Sequence, residues 1–110
     1  MARRVPLRWT EPAVNDLKDT RAFLYERSPE AAPRFASSVR VAAGRLRDHP
    51  RIGARLLDAP IPGEIRSVVV ENHRLIYRVE HASLCILRVW DTRRNPDTLW
   101  PHVARNDEGA

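Results

Sequence analysis

Between residues 5 and 9 the chain alternates Val5, Leu7 and Trp9 with Pro6 and Arg8, the period-two pattern of a short strand that tolerates its proline near the start or on an edge. Thr10, Glu11 and Pro12 follow, giving a side-chain oxygen, a carboxylate and a residue without an amide, all suited to the free N–H groups of a helix start. The spacing then predicts a first helix from about Glu11. Its apolar face carries Ala13, Leu17, Leu24 and Tyr25 with Val14 beside them, while Asn15, Asp16, Lys18, Asp19 and Arg27 fall outside that stripe, toward water. Ser28, Pro29 and Glu30 repeat the capping signal, and Ala32, Phe35, Ala36, Val39, Ala42, Ala43 and Leu46 keep the i, i+3, i+4, i+7 spacing of a second helix. Pro33 lacks the amide that a helix capped by Ser28 would pair with the Pro29 carbonyl, so this helix should start late or with a bent first turn. The short connection makes the two helices an antiparallel hairpin. Pro50 and Gly53 end the second one by His49, and Pro60, Pro62 and Gly63 mark a loop over residues 56–63.

Three strands are predicted next, over residues 65–70, 74–80 and 84–91, separated by connections short enough to require antiparallel hairpins. On the second, Leu75, Tyr77 and Val79 share the face that should meet the helices, opposite Arg74, Ile76, Arg78 and Glu80. The third sets Cys85, Leu87 and Val89 against Leu84, Ile86, Arg88 and Trp90, apolar on both faces as an interior strand is, with Arg88 the one interruption. The architecture is α+β, in the order β-α-α-β-β-β: an antiparallel, curved sheet covered on one face by the helical hairpin. The other face, carrying Arg66, Arg74, Arg78 and Arg88, should be only partly covered, a concave basic surface suited to an anionic or amphipathic partner.

With 110 residues and 43% hydrophobic content, the chain has the size of one domain, expected over residues 1–104 with a flexible tail at 105–110. Cys85 is its only cysteine, so no disulfide can form within one chain, and no apolar run has the length of a membrane span. A cytoplasmic protein is expected. The net charge of +5 points to a polyanionic partner. All basic residues but Lys18 are arginine, a bias that GC-rich coding also produces. His49, His73, His81 and His102 show no metal-ligand spacing, and neither a metal nor another cofactor is expected.

Several stretches, in their order and spacing, carry a resemblance. They are Trp9-Thr10-Glu11-Pro12-Ala13, Asp16-Leu17, Ser28-Pro29-Glu30-Ala31-Ala32, Leu46-Arg47-Asp48-His49-Pro50-Arg51-Ile52-Gly53, Ile65-Arg66-Ser67-Val68-Val69-Val70, His73-Arg74-Leu75-Ile76-Tyr77-Arg78-Val79 and Ile86-Leu87-Arg88-Val89-Trp90-Asp91-Thr92-Arg93-Arg94-Asn95-Pro96. From Leu7 to about Leu99 the chain resembles the RelE/ParE superfamily of bacterial type II toxins. The resemblance implies a growth-inhibiting toxin held inactive by a cognate antitoxin. RelE-like members cleave messenger RNA on the ribosome without a metal. ParE-like members poison DNA gyrase and need no hydrolytic site.

Metal-free RNA cleavage requires a base for the 2′-hydroxyl, cations for the phosphate and an acid for the leaving oxygen. Arg66, Arg93 and Arg94 are the candidate cations, but an arginine stays protonated and cannot move the proton. Lys18 sits on the solvated side of the first helix. Where ribonuclease members carry a tyrosine after the last basic motif this chain has Trp100, which can stack but does not titrate, and where many members carry histidine it has Asp91. These departures place the chain closer to the ParE-like group, with Arg66, Arg74, Arg78, Arg88, Arg93, Arg94 and Trp100 as the residues expected to bind target or antitoxin. Two alternatives remain. One is a ribosome-dependent endoribonuclease using Arg66, Arg93 and Arg94, with His73 or Asp91 moving the proton. The other is a non-toxic homologue that only pairs with its antitoxin. Each arginine also has a plainer reading, as a strand or turn residue paired with Glu64, Glu71, Glu80, Asp91 or Asp97, and Tyr77 and Trp90 read as packing residues.

Overall fold

The structure is a computed structural model that describes residues 4–100. Its elements in chain order are β1 (Leu7–Trp9), α1 (Glu11–Arg27), α2 (Ala31–Asp48), β2 (Ala54–Arg55), β3 (Glu64–Val70), β4 (His73–Glu80), β5 (Ser83–Asp91) and a 3-10 turn at Pro96–Thr98. The expected tail at 105–110 lies outside the described residues. Thr10 caps α1 as anticipated, its hydroxyl oxygen accepting from Ala13 N at 3.2 Å. The second helix starts late, at Ala31, which puts Pro33 in the first turn, where its missing amide leaves no intrahelical bond unmade.

The fold is α+β, and the strands lie in the order β1-β5-β4-β3-β2. The three long strands form the expected antiparallel meander. The sheet as a whole is mixed, because β1 runs parallel to β5, pairing Leu7 with Leu84 and Trp9 with Ile86. That pairing closes a crossover spanning both helices, whereas an antiparallel neighbour needs only a hairpin. The two-residue strand β2, too short to show an alternation, pairs with Ser67 and Arg66 of β3.

On one side of the sheet Ala13, Phe35, Val39 and Leu46 from the helices pack on Val70, Leu75, Tyr77, Leu84, Ile86 and Val89. Here the strand faces differ from the simple alternation. Ile76 is opposite Arg88 but Tyr77 is opposite Ile86, so Leu87 is an extra residue in β5, a bulge. After it the side-chain parity shifts, and Val89 joins Leu84 and Ile86 on the helical side while Cys85 and Leu87 face away. The helix stripe also needs correction: Tyr25 is 63% exposed, whereas Asp16, read as solvated, is only 8% exposed.

The opposite side is not the open basic surface that the arginine positions suggested. Ile65, Ile76, Cys85, Leu87 and Trp90 make it apolar, and it is roofed by Ile61 and Leu99 with Leu56, Ala59 and Trp100 beside them. Arg78 and Arg88 are both buried rather than displayed on an open face. Tyr77 is a packing residue as expected. Its hydroxyl donates to the Pro50 carbonyl at 2.8 Å and accepts from Gly53 N at 3.0 Å, fastening the α2–β2 connection to the core. Gly53 has to be glycine there, since a Cβ would come within 2.7 Å of both that hydroxyl and the Ser67 carbonyl oxygen.

The hairpin turns store strain. Glu71 between β3 and β4 has φ 56°, and Ala82 between β4 and β5 has φ 62°, the left-handed region that a Cβ disfavours. Glu71→Gly and Ala82→Gly should each raise stability by up to about 1 kcal/mol, the relief of strain exceeding the added entropy of the unfolded chain. Urea midpoints at or below that of the unaltered chain would contradict this.

Candidate functional site

The strand β1 ends at Trp9, so beyond Ile86 the outer edge of β5 has no strand neighbour and its backbone groups need other partners. The start of α1 supplies them. Thr10 donates its amide to the Ile86 carbonyl at 3.0 Å and its hydroxyl to the Leu87 carbonyl at 2.9 Å. Nearly two turns further, Asp16 Oδ2 accepts from Val89 N at 3.0 Å. The same carboxylate takes a fork from Arg88, Nε to Oδ2 and Nη2 to Oδ1, both 2.7 Å. Arg88 is 6% exposed, and its remaining arm donates from Nη1 to the Leu99 carbonyl at 3.0 Å.

Where β5 runs out, the basic motif is held by two different devices. Arg93 is folded back onto Asp91, with Nε to Oδ1 at 3.0 Å, Nη2 to Oδ2 at 2.8 Å and its own amide to Oδ1 at 2.9 Å. That fork pulls the Asp91 carboxyl down to about 2, so it is an ionised acceptor at neutral pH and a poor base. Arg94 instead lies over the Trp90 ring, 4.2 Å from its centroid, and Arg88 meets the same ring at 4.9 Å. The stacked Arg94 is exposed to solvent.

These residues border a cleft of about 290 Å³ between α1 and the ends of β4 and β5, lined by Asp16, Asp19, Thr20, Phe23, Leu24, His73, Val89, Asp91, Arg93 and Arg94. Of the sequence candidates, the cleft gathers Arg93, Arg94, Asp91 and His73. His73 pairs with Asp91 across the β4–β5 ladder, and its ring lies 4.8 Å from that of Phe35. Burial pushes its pKa below the ordinary value against the pull of the Asp91 charge, so it is neutral at physiological pH.

The other candidates lie elsewhere. Arg66 is tied to Glu64 at 2.7 Å and to the Gly53 carbonyl at 2.7 Å, and Arg51 shares the same carboxylate. Arg78 reaches the Pro62 carbonyl and Glu80. Arg74 is exposed and donates to Ser67 Oγ at 3.2 Å, next to Trp90 across the ladder. Trp100 is half-buried against the cluster that holds Trp90 and Leu99. Among the described residues, no group of three or more His, Cys, Asp or Glu is placed to hold a metal ion. No described helix is long and apolar enough to cross a membrane.

Asp16 is the residue that sequence reasoning missed. A signal for it existed: Arg88 is the one charge inside an apolar strand, and a buried cation requires a carboxylate partner. Taken together, the site displays Arg93 and Arg94 at the rim of a cleft whose Asp91 is tied to Arg93 and whose His73 is buried.

A structure titled "Chromosomal ParDE TA system from P. aeruginosa" contains a chain with the same fold, 23% identical, with a TM-score of 0.66, covering 80% of this chain and 96% of that one. None of the curated proteins matches. The family described as "ParE toxin of type II toxin-antitoxin system, parDE" matches residues 7–96, most of the length, a span that includes the helical hairpin, the long strands and Arg93-Arg94 of this chain. The chain belongs to the ParE toxin family of type II toxin–antitoxin systems.

Proposed function

We propose that this toxin arrests growth by binding DNA gyrase, and that its cognate antitoxin neutralises it by covering the exposed residues that gyrase would otherwise meet. The contacts in this reading are Arg74, Arg93, Arg94 and Trp100, whereas Arg66, Arg78 and Arg88 serve the fold. The observation that carries it is the environment of the groups nearest the cations. Asp91 is held ionised by Arg93, and His73 is buried and neutral against Phe35, so neither is presented to a ribose hydroxyl. A binding surface needs only the cations. The ParDE title of the related structure supports an antitoxin partner for this chain as well.

The reading is tested by supercoiling assays with the purified toxin, beside primer extension on translated messages. Inhibition of gyrase with no new 5′ ends is expected. New 5′ ends would favour the ribonuclease alternative, and induced expression without growth arrest would favour an antitoxin-binding module. Arg94→Ala should weaken inhibition about tenfold, the effect of losing one charge-assisted contact, with little change in thermal stability because Arg94 is exposed. Undiminished inhibition would remove Arg94 from the contact set.

A further inference from the structure

Resting on the reading of target binding above, we infer that Asp16 and Arg88 are positioning residues for the arm that meets the target. After Asp91 the chain leaves the sheet, and the arm carrying Arg94 and Trp100, whose Leu99 packs into the apolar cluster, is hydrogen-bonded to the sheet at two places. At its start, Thr92 donates from its amide and its hydroxyl to the Asn72 carbonyl, each at 3.1 Å. At its far end, the bonds within residues 95–100 are local: Asn95 Oδ1 accepts from Asp97 N, the Asn95 carbonyl from Thr98, and the Pro96 carbonyl from Leu99 N. Among the described residues, the hydrogen bond that ties this stretch to the sheet is the one from Arg88 Nη1 to the Leu99 carbonyl, 3.0 Å.

That bond is aimed by Asp16. A guanidinium is planar and rigid, so fixing Nε and Nη2 on the two carboxylate oxygens fixes the direction of Nη1. Asp16 is itself held by the Val89 amide and by its place on α1, so the frame runs from helix to strand to arm. The same guanidinium lies against Trp90, the ring on which Arg94 stacks. One buried ion pair thus sets both the exit of the arm at Leu99 and the platform beneath its cation. A buried pair of this kind is a poor source of net stability, because desolvating two charges offsets most of their attraction. What it supplies is geometry. Neither residue touches the target; each acts through Leu99 and Trp90.

The discriminating experiment replaces the pair without leaving a lone charge. Asp16→Asn with Arg88→Met removes both charges, keeps an acceptor for Val89 N and fills the guanidinium site with an apolar side chain. Arg88→Lys, made in parallel, keeps the charge opposite Asp16 but has no fork with which to aim a third bond. Each full-length protein is measured for thermal midpoint, antitoxin binding, hydrogen exchange over residues 95–100, gyrase inhibition and growth arrest. A variant whose midpoint stays within about 5 °C of the unaltered chain should lose protection in residues 95–100 and need about tenfold more protein for the same arrest. Either variant, folded with that midpoint and fully potent, overturns the proposal. If the pair were merely structural, potency would follow stability and return with it. An unaltered toxin that arrests cells without touching gyrase would sink the gyrase reading, and potency in growth arrest would still score both variants.

Discussion

Asp16→Ala should destabilise the fold by about 3–5 kcal/mol, the range for breaking one side of a buried ion pair. The loss is larger than the two 2.7 Å bonds alone would suggest, because the Arg88 guanidinium stays behind, 6% exposed, with no carboxylate, and the Val89 N–H loses its acceptor. The comparison that isolates burial is Asp91→Ala. Its carboxylate receives the same kind of fork from Arg93, at 3.0 and 2.8 Å, yet that arginine side chain is 71% exposed, so water screens the pair and replaces the lost bonds. An effect under about 1 kcal/mol is expected there. Urea midpoints with unchanged m-values would measure both. Equal losses from the two substitutions would mean that Arg88 relaxes into water when Asp16 is gone, and the buried pair would then have to be redrawn as a surface one.

The elements were legible from the sequence wherever one local rule decided them. Thr10 followed by Glu11 and Pro12 gave the start of α1, and the seven spaced apolar residues from Ala32 to Leu46 gave α2, because capping and period are set by neighbours within a turn. The alternation in β4 placed Leu75 and Tyr77 against the helices correctly. It failed in β5, since one extra residue at Leu87 reverses every side chain beyond it and leaves no mark in composition. The parallel place of β1 was hidden for a related reason. It pairs with a strand more than seventy residues away, and only the assembled sheet shows that the edge of β5 was open.

The site was legible in part. Arg93 and Arg94 could be picked out by their position past a strand end, and the structure sets them with Asp91 and His73 around one cleft. Arg78 and Arg88 were misplaced because a strand pattern says which face a residue takes but not what roofs that face, whereas Arg74 is exposed. That pattern puts Arg88 and Arg78 at the surface, yet both are buried, Arg88 against Asp16 and the Leu99 carbonyl and Arg78 against Pro62 and Gly63. The same roof explains why charge alone misleads here. With 18 arginines implied by 19 basic residues including a single lysine, many must hold the fold, and carboxylates such as Glu64 and Asp16 mark which ones do.

Phe35→Ala should cost about 3–5 kcal/mol at pH 7.5 and should also flatten the dependence of stability on pH. The ring is 1% exposed, at the centre of the helical face, and it covers His73. Burial holds the folded pKa of His73 below its ordinary value of 6.5, so as pH falls through 6.5 the unfolded chain takes up a proton before the folded one does. Stability is therefore complete above 6.5 and declines as the pH drops toward the lowered folded value. Asp91 adds a second decline further down, between 3.8 and about 2, as its carboxylate is protonated in the unfolded chain first. Removing the ring lets water reach the imidazole and returns its pKa toward 6.5, which erases the upper window while leaving the lower one. Unfolding free energies at pH 7.5 and 5.5 for both proteins, with the histidine followed by NMR, test this directly. A variant that keeps the full slope between those two values would show that the Arg93 charge and the rest of the surrounding fold, rather than the covering ring, keep His73 from taking up its proton.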